Sequence, residues 1–277
     1  MKNILVPTDF SPNAHNALSV AAQLARKNDS TIHLLHLLEL PSHIDDPIVG
    51  SNGNFPEAIL FMKSIHSKFK QLIDSPLLKG LKTHEDVNTQ PIPQGILKSC
   101  NNNEIDFIIV GSHGKEAFSD LFVGSNTEKI VRTSSTPVLV VKEPTDISTV
   151  KNIVFACNFK NEEIPTLNAL HNFAEEINAQ IHLLYVNTPR NFKTTHAIEE
   201  EMKAFLTKST FKKDSLHIYN DTSVERGVLN FSNDIKADLI CVDVHERKGL
   251  SHFINGSISE DLINHTQIPI LTYKLKA

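Results

Sequence analysis

The strongest constraint on this chain is that it carries one pattern twice. Asn3-Ile4-Leu5-Val6-Pro7-Thr8-Asp9-Phe10 returns as Asn152-Ile153-Val154-Phe155-Ala156-Cys157-Asn158-Phe159, and Ile32-His33-Leu34-Leu35 returns as Ile181-His182-Leu183-Leu184, both at a spacing of 149. Further along the spacing falls to 132: Gly95 pairs with Gly227, Asp106 with Asp238, Gly124-Ser125 with Gly256-Ser257, and Pro137-Val138-Leu139 with Pro269-Ile270-Leu271. The second copy is 17 residues shorter in its middle, the difference between 149 and 132. A period this long belongs to a whole domain rather than to a solenoid unit. Two such units in 277 residues each have ordinary domain size and room for a core of their own.

Each copy alternates short apolar, β-branched runs with helical stretches, the signature of an α/β fold with a parallel sheet covered by helices. Strands are expected at Ile4–Pro7, Thr31–Leu37, His84–Asn88, Phe107–Val110 and Val138–Val141, and again at Ile153–Ala156, Gln180–Val186, Leu216–Tyr219, Leu239–Val242 and Ile270–Tyr273. Unbroken apolar runs such as Phe107-Ile108-Ile109-Val110 call for burial on both faces, hence a doubly wound sheet. The first helix is the clearest: Ser11 suits the N-cap, Pro12 the first turn, and Ala14, Ala17, Leu18, Ala21, Ala22 and Ala25 form an apolar stripe. Pro41 to Phe55 reads as a loop excursion near the carboxyl ends of the strands, and Glu143-Pro144-Thr145-Asp146-Ile147-Ser148 as a short linker. The expected domains are residues 1–143 and 150–277. A linker this short keeps them close, with Val138–Val141 and Ile153–Ala156 in different sheets.

Composition removes several classes of function. A formal net charge of −5 offers no basic field, so no nucleic-acid partner is expected. The three cysteines, Cys100, Cys157 and Cys241, are odd in number and lack metal-type spacing, and read as reduced thiols. No apolar run approaches the roughly 20 residues of a membrane span, and the start shows no signal-peptide core. The expectation is a cytoplasmic protein with no membrane partner.

Chemistry concentrates at the strand ends of the first copy. Gly111-Ser112-His113-Gly114 closes a buried strand, and after nine intervening residues Gly124-Ser125-Asn126-Thr127 opens a helical stretch. Glycines after a strand admit close backbone approach, and free N–H groups at a helix start favour an anion, so the pair forms a phosphate cradle. Ser125 and Thr127 can add hydroxyl donors. Asp9, at the carboxyl end of the first strand, sits where open α/β sheets bind ligands and can accept hydrogen bonds from ribose hydroxyls. The pattern is neither a Walker A motif, since no Lys follows the glycines, nor G-x-G-x-x-G. Two glycines at G-x-x-G spacing are by themselves usually just a loop.

Ile4-Leu5-Val6-Pro7-Thr8-Asp9-Phe10-Ser11, the G-x-x-G-x9-G-S run and the ending Thr136-Pro137-Val138-Leu139-Val140-Val141-Lys142 together resemble the universal stress protein family in its ATP-binding branch. The resemblance covers Met1 to Lys142. It implies an adenine site around Pro7, Thr8, Asp9 and Leu37, with Val110, Gly111, Gly114, Gly124, Ser125 and Asn126 around ribose and phosphates and Thr127 as a further phosphate contact. ATP is the implied ligand, with Mg held by its phosphates. It also implies two five-stranded sheets of order 3-2-1-4-5 whose last strands, Val138–Val141 and Ile270–Tyr273, pair antiparallel to make an intramolecular pseudo-dimer.

The second copy resembles the family in layout but departs at the functional positions. Asn158 stands for Asp9, Asp243 for Gly111 and Glu246 for Gly114, with Gly256 and Ser257 retained. Two carboxylates at the phosphate end should repel a triphosphate, so this copy is expected to be a degenerate partner domain. His245, Glu246 and His252 fall in its altered loop at a spacing that fixes no metal geometry, and no metal site or catalytic residue is assigned. Cys157 reads as a small buried hydrophobe or, less simply, a redox-sensitive thiol. The expected function is regulatory: a nucleotide-binding stress-response protein with unidentified protein partners, monomeric or homodimeric. A slow ATPase and a ligand-free interaction scaffold are the alternatives.

Overall fold

The computed structural model describes residues 1–38, 55–112, 125–209, 215–244 and 258–274. The first half runs β1 (Asn3–Pro7), α1 (Pro12–Asn28), β2 (Thr31–Leu37), α2 (Phe55–Ile73), β3 (Lys82–Asn88), α3 (Ile92–Asn102), β4 (Phe107–Gly111), α4 (Ser125–Thr133) and β5 (Val138–Val141). The second repeats it as β6 (Asn152–Ala156), α5 (Ile164–Ile177), β7 (Gln180–Asn187), α6 (Thr195–Leu206), β8 (Leu216–Asn220), α7 (Val224–Asp234), β9 (Leu239–Val244), α8 (Ile258–His265) and β10 (Ile270–Lys274). Ser11 caps α1 as expected, its hydroxyl accepting from the Ala14 amide at 3.2 Å, and Pro12 opens the helix. Apart from Phe55, the loop read at Pro41 to Phe55 lies outside the described residues.

Within each half the strand order is 3-2-1-4-5 and every pairing is parallel. The two halves then join. β5 and β10 pair antiparallel, with Val138 opposite Thr272, Leu139 opposite Leu271 and Val140 opposite Ile270. Leu139 and Leu271 are repeat equivalents, so a pseudo-twofold axis passes through that pair. The two five-stranded halves thus make one sheet of ten strands, β3-β2-β1-β4-β5-β10-β9-β6-β7-β8. The expectation that Val138–Val141 and Ile153–Ala156 lie in different sheets is corrected: both belong to this sheet, with β10 and β9 between them. The pairing removes two free edges that would each expose a row of unpaired backbone groups.

Helices α1, α2, α5 and α6 cover one face around a core that includes Ile4, Leu18, Phe69, Phe155, Leu170 and Phe205. Helices α3, α4, α7 and α8 cover the other around Leu5, Ile96, Ile130, Val154, Phe231 and Leu262. Both cores cross the junction. Phe107 of the first half stacks on Phe173 of the second at 5.6 Å, and the buried Lys142 donates from Nζ to the Thr266 carbonyl at 2.6 Å. The linker ends in a single 3-10 turn, Ile147–Thr149, and is less free than its composition suggests. Gln23 of α1 donates to the Thr145 carbonyl at 3.1 Å and accepts from the Ile147 amide at 2.9 Å, while Ile147 and Val150 are buried.

The repeat extends to backbone detail. The non-glycine residues in the left-handed region form three equivalent pairs among the described residues: Phe10 with Phe159, Asp29 with Asn178, and Glu104 with Lys236. Asp106 Oδ2 accepts from the Lys2 and Asn3 amides at 2.6 and 3.0 Å, and Asp238 Oδ2 from the Lys151 and Asn152 amides at 2.9 Å each. All three cysteines are free and buried. Burial pushes the thiols of Cys157 and Cys241 well up, which removes the thiolate a redox sensor needs. No helix among the described residues is long and apolar enough to cross a membrane.

Candidate functional site

The strand order reverses at β1, which pairs with β2 on one side and β4 on the other. In open α/β sheets the crevice at such a switch point, beyond the carboxyl ends of the strands, is where ligands bind. A cavity of about 170 Å³ lies there in the first half. Pro7, Thr8 and Asp9 reach it from the end of β1, Leu37 from β2, Val110 and Gly111 from β4, and Asn126 and Thr127 from the first turn of α4. Eight of the residues singled out from the sequence therefore meet at one place. Gly114 and Gly124 lie outside the described residues, as do His113 and, in the second half, His245, Glu246, His252, Gly256 and Ser257. Ser125 is described as the first residue of α4. Ser11, Asn13, Ala14, Leu35, Ile92 and Ile130 also line the cavity. From the sequence, Ser11 and Ala14 are the cap and part of the apolar stripe of α1, and neither is among the expected binding residues.

The turn after β1 is held tightly. Thr8 Oγ1 accepts from the Phe10 amide at 3.0 Å, Asp9 Oδ1 accepts from the Ser11 amide at 2.9 Å, and Phe10 sits at φ 65. Its counterpart Phe159 sits at φ 58, so this turn belongs to the repeat rather than to one half. His36 Nδ1 lies 2.7 Å from the Thr8 carbonyl, and Phe10 packs between the His36 and Phe69 rings at 4.8 and 5.2 Å. Leu37 reaches the cavity because α3 offers it a glycine: a Cβ on Gly95 would lie 2.4 Å from Leu37 Cδ2.

Gly111 has a second reason to be glycine. A Cβ there would come within 2.2 Å of the Asn13 carbonyl oxygen and 2.7 Å of the Ala14 nitrogen, so it is the start of α1 that β4 approaches. Thr127 is buried and its hydroxyl donates to the Gly111 carbonyl at 3.2 Å, tying α4 to β4 across the cavity wall. The first amides of α4 have no acceptor within the helix, which makes this turn a ready anion site.

In the second half the same places are filled. Asp243 stands at the position of Gly111, and α5 begins at Ile164 after a 3-10 turn at Asn161–Glu163, where α1 begins directly at Pro12. The delayed start makes room for the Asp243 side chain. Its Oδ1 accepts from the Thr166 hydroxyl at 2.6 Å, and its Oδ2 is buried without a hydrogen-bond partner. Burial, opposed by the Thr166 hydrogen bond and assisted by Glu163 and Glu162, raises its pKa to about 7. The sequence expectation of a charge repelling a triphosphate needs correction on that point: near neutral pH this carboxyl is only partly ionised, and it packs beneath α5. A second carboxylate lies in the same turn. Glu163, at the position of Ala14, is 2% exposed and accepts from the Asn158 amide at 3.1 Å and the Lys160 amide at 2.9 Å. In the first half Asp9 serves the equivalent of Lys160, Ser11. The second half thus supplies its loop donors with an internal anion.

A larger, shallow groove of about 660 Å³ runs between α1 and Pro144–Ser148. It lies on the linker, away from the strand ends and their donors, and reflects how α1 holds the linker. Among the described residues no group of three or more His, Cys, Asp or Glu side chains could hold a metal ion.

The family model of the universal stress protein family matches residues 1–142 and again 149–274. A universal stress protein of Synechocystis, Slr1230, is 23% identical over 99% of this chain and all of its own length. MJ0577, a universal stress protein of Methanocaldococcus jannaschii, is 30% identical, with 51% of this chain covering 94% of that protein. The crystal structure of a universal stress protein from Archaeoglobus fulgidus shares the fold at a TM-score of 0.69 and 20% identity, over 99% of this chain and 98% of that one. With both halves matched and the switch-point site in place, the chain belongs to the universal stress protein family as a tandem of two such units.

Proposed function

We propose that this protein is a nucleotide-binding regulatory module whose first domain, residues 1–143, binds one ATP and whose second, residues 150–277, binds none. One contrast supports the reading. At the first switch point a cavity is bordered by Asp9, a glycine and the first turn of α4, whereas at the second the loop amides are bound to Glu163 and Asp243 replaces the glycine. Pro7, Thr8, Asp9 and Leu37 would surround adenine and ribose. Val110, Gly111, Gly114, Gly124, Ser125, Asn126 and Thr127 would border ribose and phosphates. The cavity of about 170 Å³ is below the roughly 300–1,000 Å³ of complete ligand pockets. Mg2+ would ride on the phosphates and neutralise their charge.

Binding, not turnover, is the favoured use. Among the described residues the carboxylate at the cavity is Asp9, and its Oδ1 is already engaged by the Ser11 amide, which leaves that oxygen poorly suited to orient a water. Occupancy would instead set the surface that protein partners meet in the cytoplasm, with the chain acting as its own pseudo-dimer. Mass spectrometry of protein purified under native conditions should find co-purified adenine nucleotide. Protein free of nucleotide and unable to take up added ATP would leave the scaffold reading standing. Turnover of about 1 s⁻¹ or faster, the range of ordinary enzymes, would make it an ATPase.

A further inference from the structure

At the amino-terminal ends of β6, β7 and β8, three polar side chains line up across three neighbouring strands of the second half. His182 of β7 lies with Nε2 3.1 Å from Asn152 Oδ1 of β6, and with Nδ1 3.2 Å from His217 Nε2 of β8. An amide oxygen only accepts, so Nε2 of His182 carries the hydrogen and Nδ1 presents a lone pair to His217. The first half repeats the set: His33 Nε2 is 3.3 Å from Asn3 Oδ1, the His84 ring lies 5.6 Å from that of His33, and His33 Nδ1 is buried without a hydrogen-bond partner. His84 and His217 are 133 residues apart, one off the repeat, yet each lies against the equivalent histidine of its own half, His33 or His182.

We propose that the His182–His217 pair is a chelating site for a borderline transition-metal dication such as Zn2+, with Asn152 as the positioning residue that fixes the ligating tautomer. Two ligands on a tetrahedral Zn2+, each at about 2.0–2.1 Å, stand about 3.3 Å apart, so an ion can replace the shared proton with little movement of either ring. A histidine ligand whose other nitrogen is held by an oxygen acceptor is the usual arrangement around protein-bound metals. Two protein ligands leave the remaining positions to water, so the site exchanges its ion. Imidazole donors exclude Mg2+ and Ca2+ in favour of Zn2+, Cu2+ or Ni2+. The site shares no residue with the first-half cavity, which is lined from β1, β2, β4 and α4.

The test is titration of tag-free, full-length protein with ZnCl2 in Mg2+-containing buffer, followed by calorimetry and by thermal melting. Zn2+ is expected to bind and raise the melting temperature where added Mg2+ does not. His217→Gln is expected to remove one equivalent, and Asn152→Ala to weaken that equivalent about 10–100-fold. Cu2+ spectra should show coupling to two imidazole nitrogens in the wild type and a change in His217→Gln, a readout that does not depend on stability. Unchanged stoichiometry in His217→Gln, or no Zn2+ bound by the wild type at tens of micromolar, would overturn the proposal.

Discussion

Asp243→Asn should stabilise the protein at pH 8 and do much less at pH 4.5. The carboxyl titrates near 7 in the fold against 3.8 in an ordinary environment, so it holds its proton in the native state where the unfolded chain has lost it. Below pH 3.8 both states are protonated and the residue costs nothing. As pH rises through the window from 3.8 to 7, ionisation favours the unfolded chain and stability is lost, at about 1.36 kcal/mol per pH unit. The loss is about 1 kcal/mol at pH 4.5 and about 4 kcal/mol at pH 8. Asn keeps an acceptor for the Thr166 hydroxyl and has no ionisation to suppress. Its amide nitrogen replaces an Oδ2 that already lacks a partner, so that exchange is close to neutral. Urea unfolding of both proteins at the two pH values should give a stability difference that moves about 3 kcal/mol in favour of Asn between them. A difference that stays constant with pH would show that Asp243 ionises normally, and the picture of a half-neutral carboxyl beneath α5 would be wrong.

Three further substitutions probe the two switch points. Gly111→Ala forces a methyl against the Asn13 carbonyl; unfolding should show a loss of about 1–3 kcal/mol, with weaker ATP binding. Asp9→Ala should weaken ATP by about 1–3 kcal/mol in calorimetry, the scale for hydrogen bonds to a charged group, while the melting curve stays cooperative. Glu163→Ala strands the Asn158 and Lys160 amides and should cost about 2–3 kcal/mol in urea unfolding without creating a nucleotide site, since Asp243 remains.

The repeat made most of the fold legible, because its spacing ties strand to strand. Thr31–Leu37 and Val138–Val141 are strands over the residues expected, and the β5–β10 pairing follows from two Pro-led apolar endings. What stayed hidden depends on partners distant in sequence. The linker reads as polar coil, yet Gln23, more than a hundred residues earlier, clamps it from both sides. Gly111 reads as a place for a ligand, and only the fold shows α1 pressed against it. Glu163 carried no motif at all. Its signal was the coupled exchange of Asp9 for Asn158 and Ala14 for Glu163, which moves a carboxylate along the loop while keeping the Ser11 or Lys160 amide satisfied.

Asymmetry between the two halves is the central claim, and calorimetric titration of the nucleotide-free protein with ATP and Mg2+ tests it most directly. The expected stoichiometry is one nucleotide per chain, with the affinity reduced by Asp9→Ala and untouched by Asp243→Asn. A stoichiometry of two would mean that Glu163 and Asp243 do not close the second site, and no binding at all would leave the first cavity without its proposed ligand.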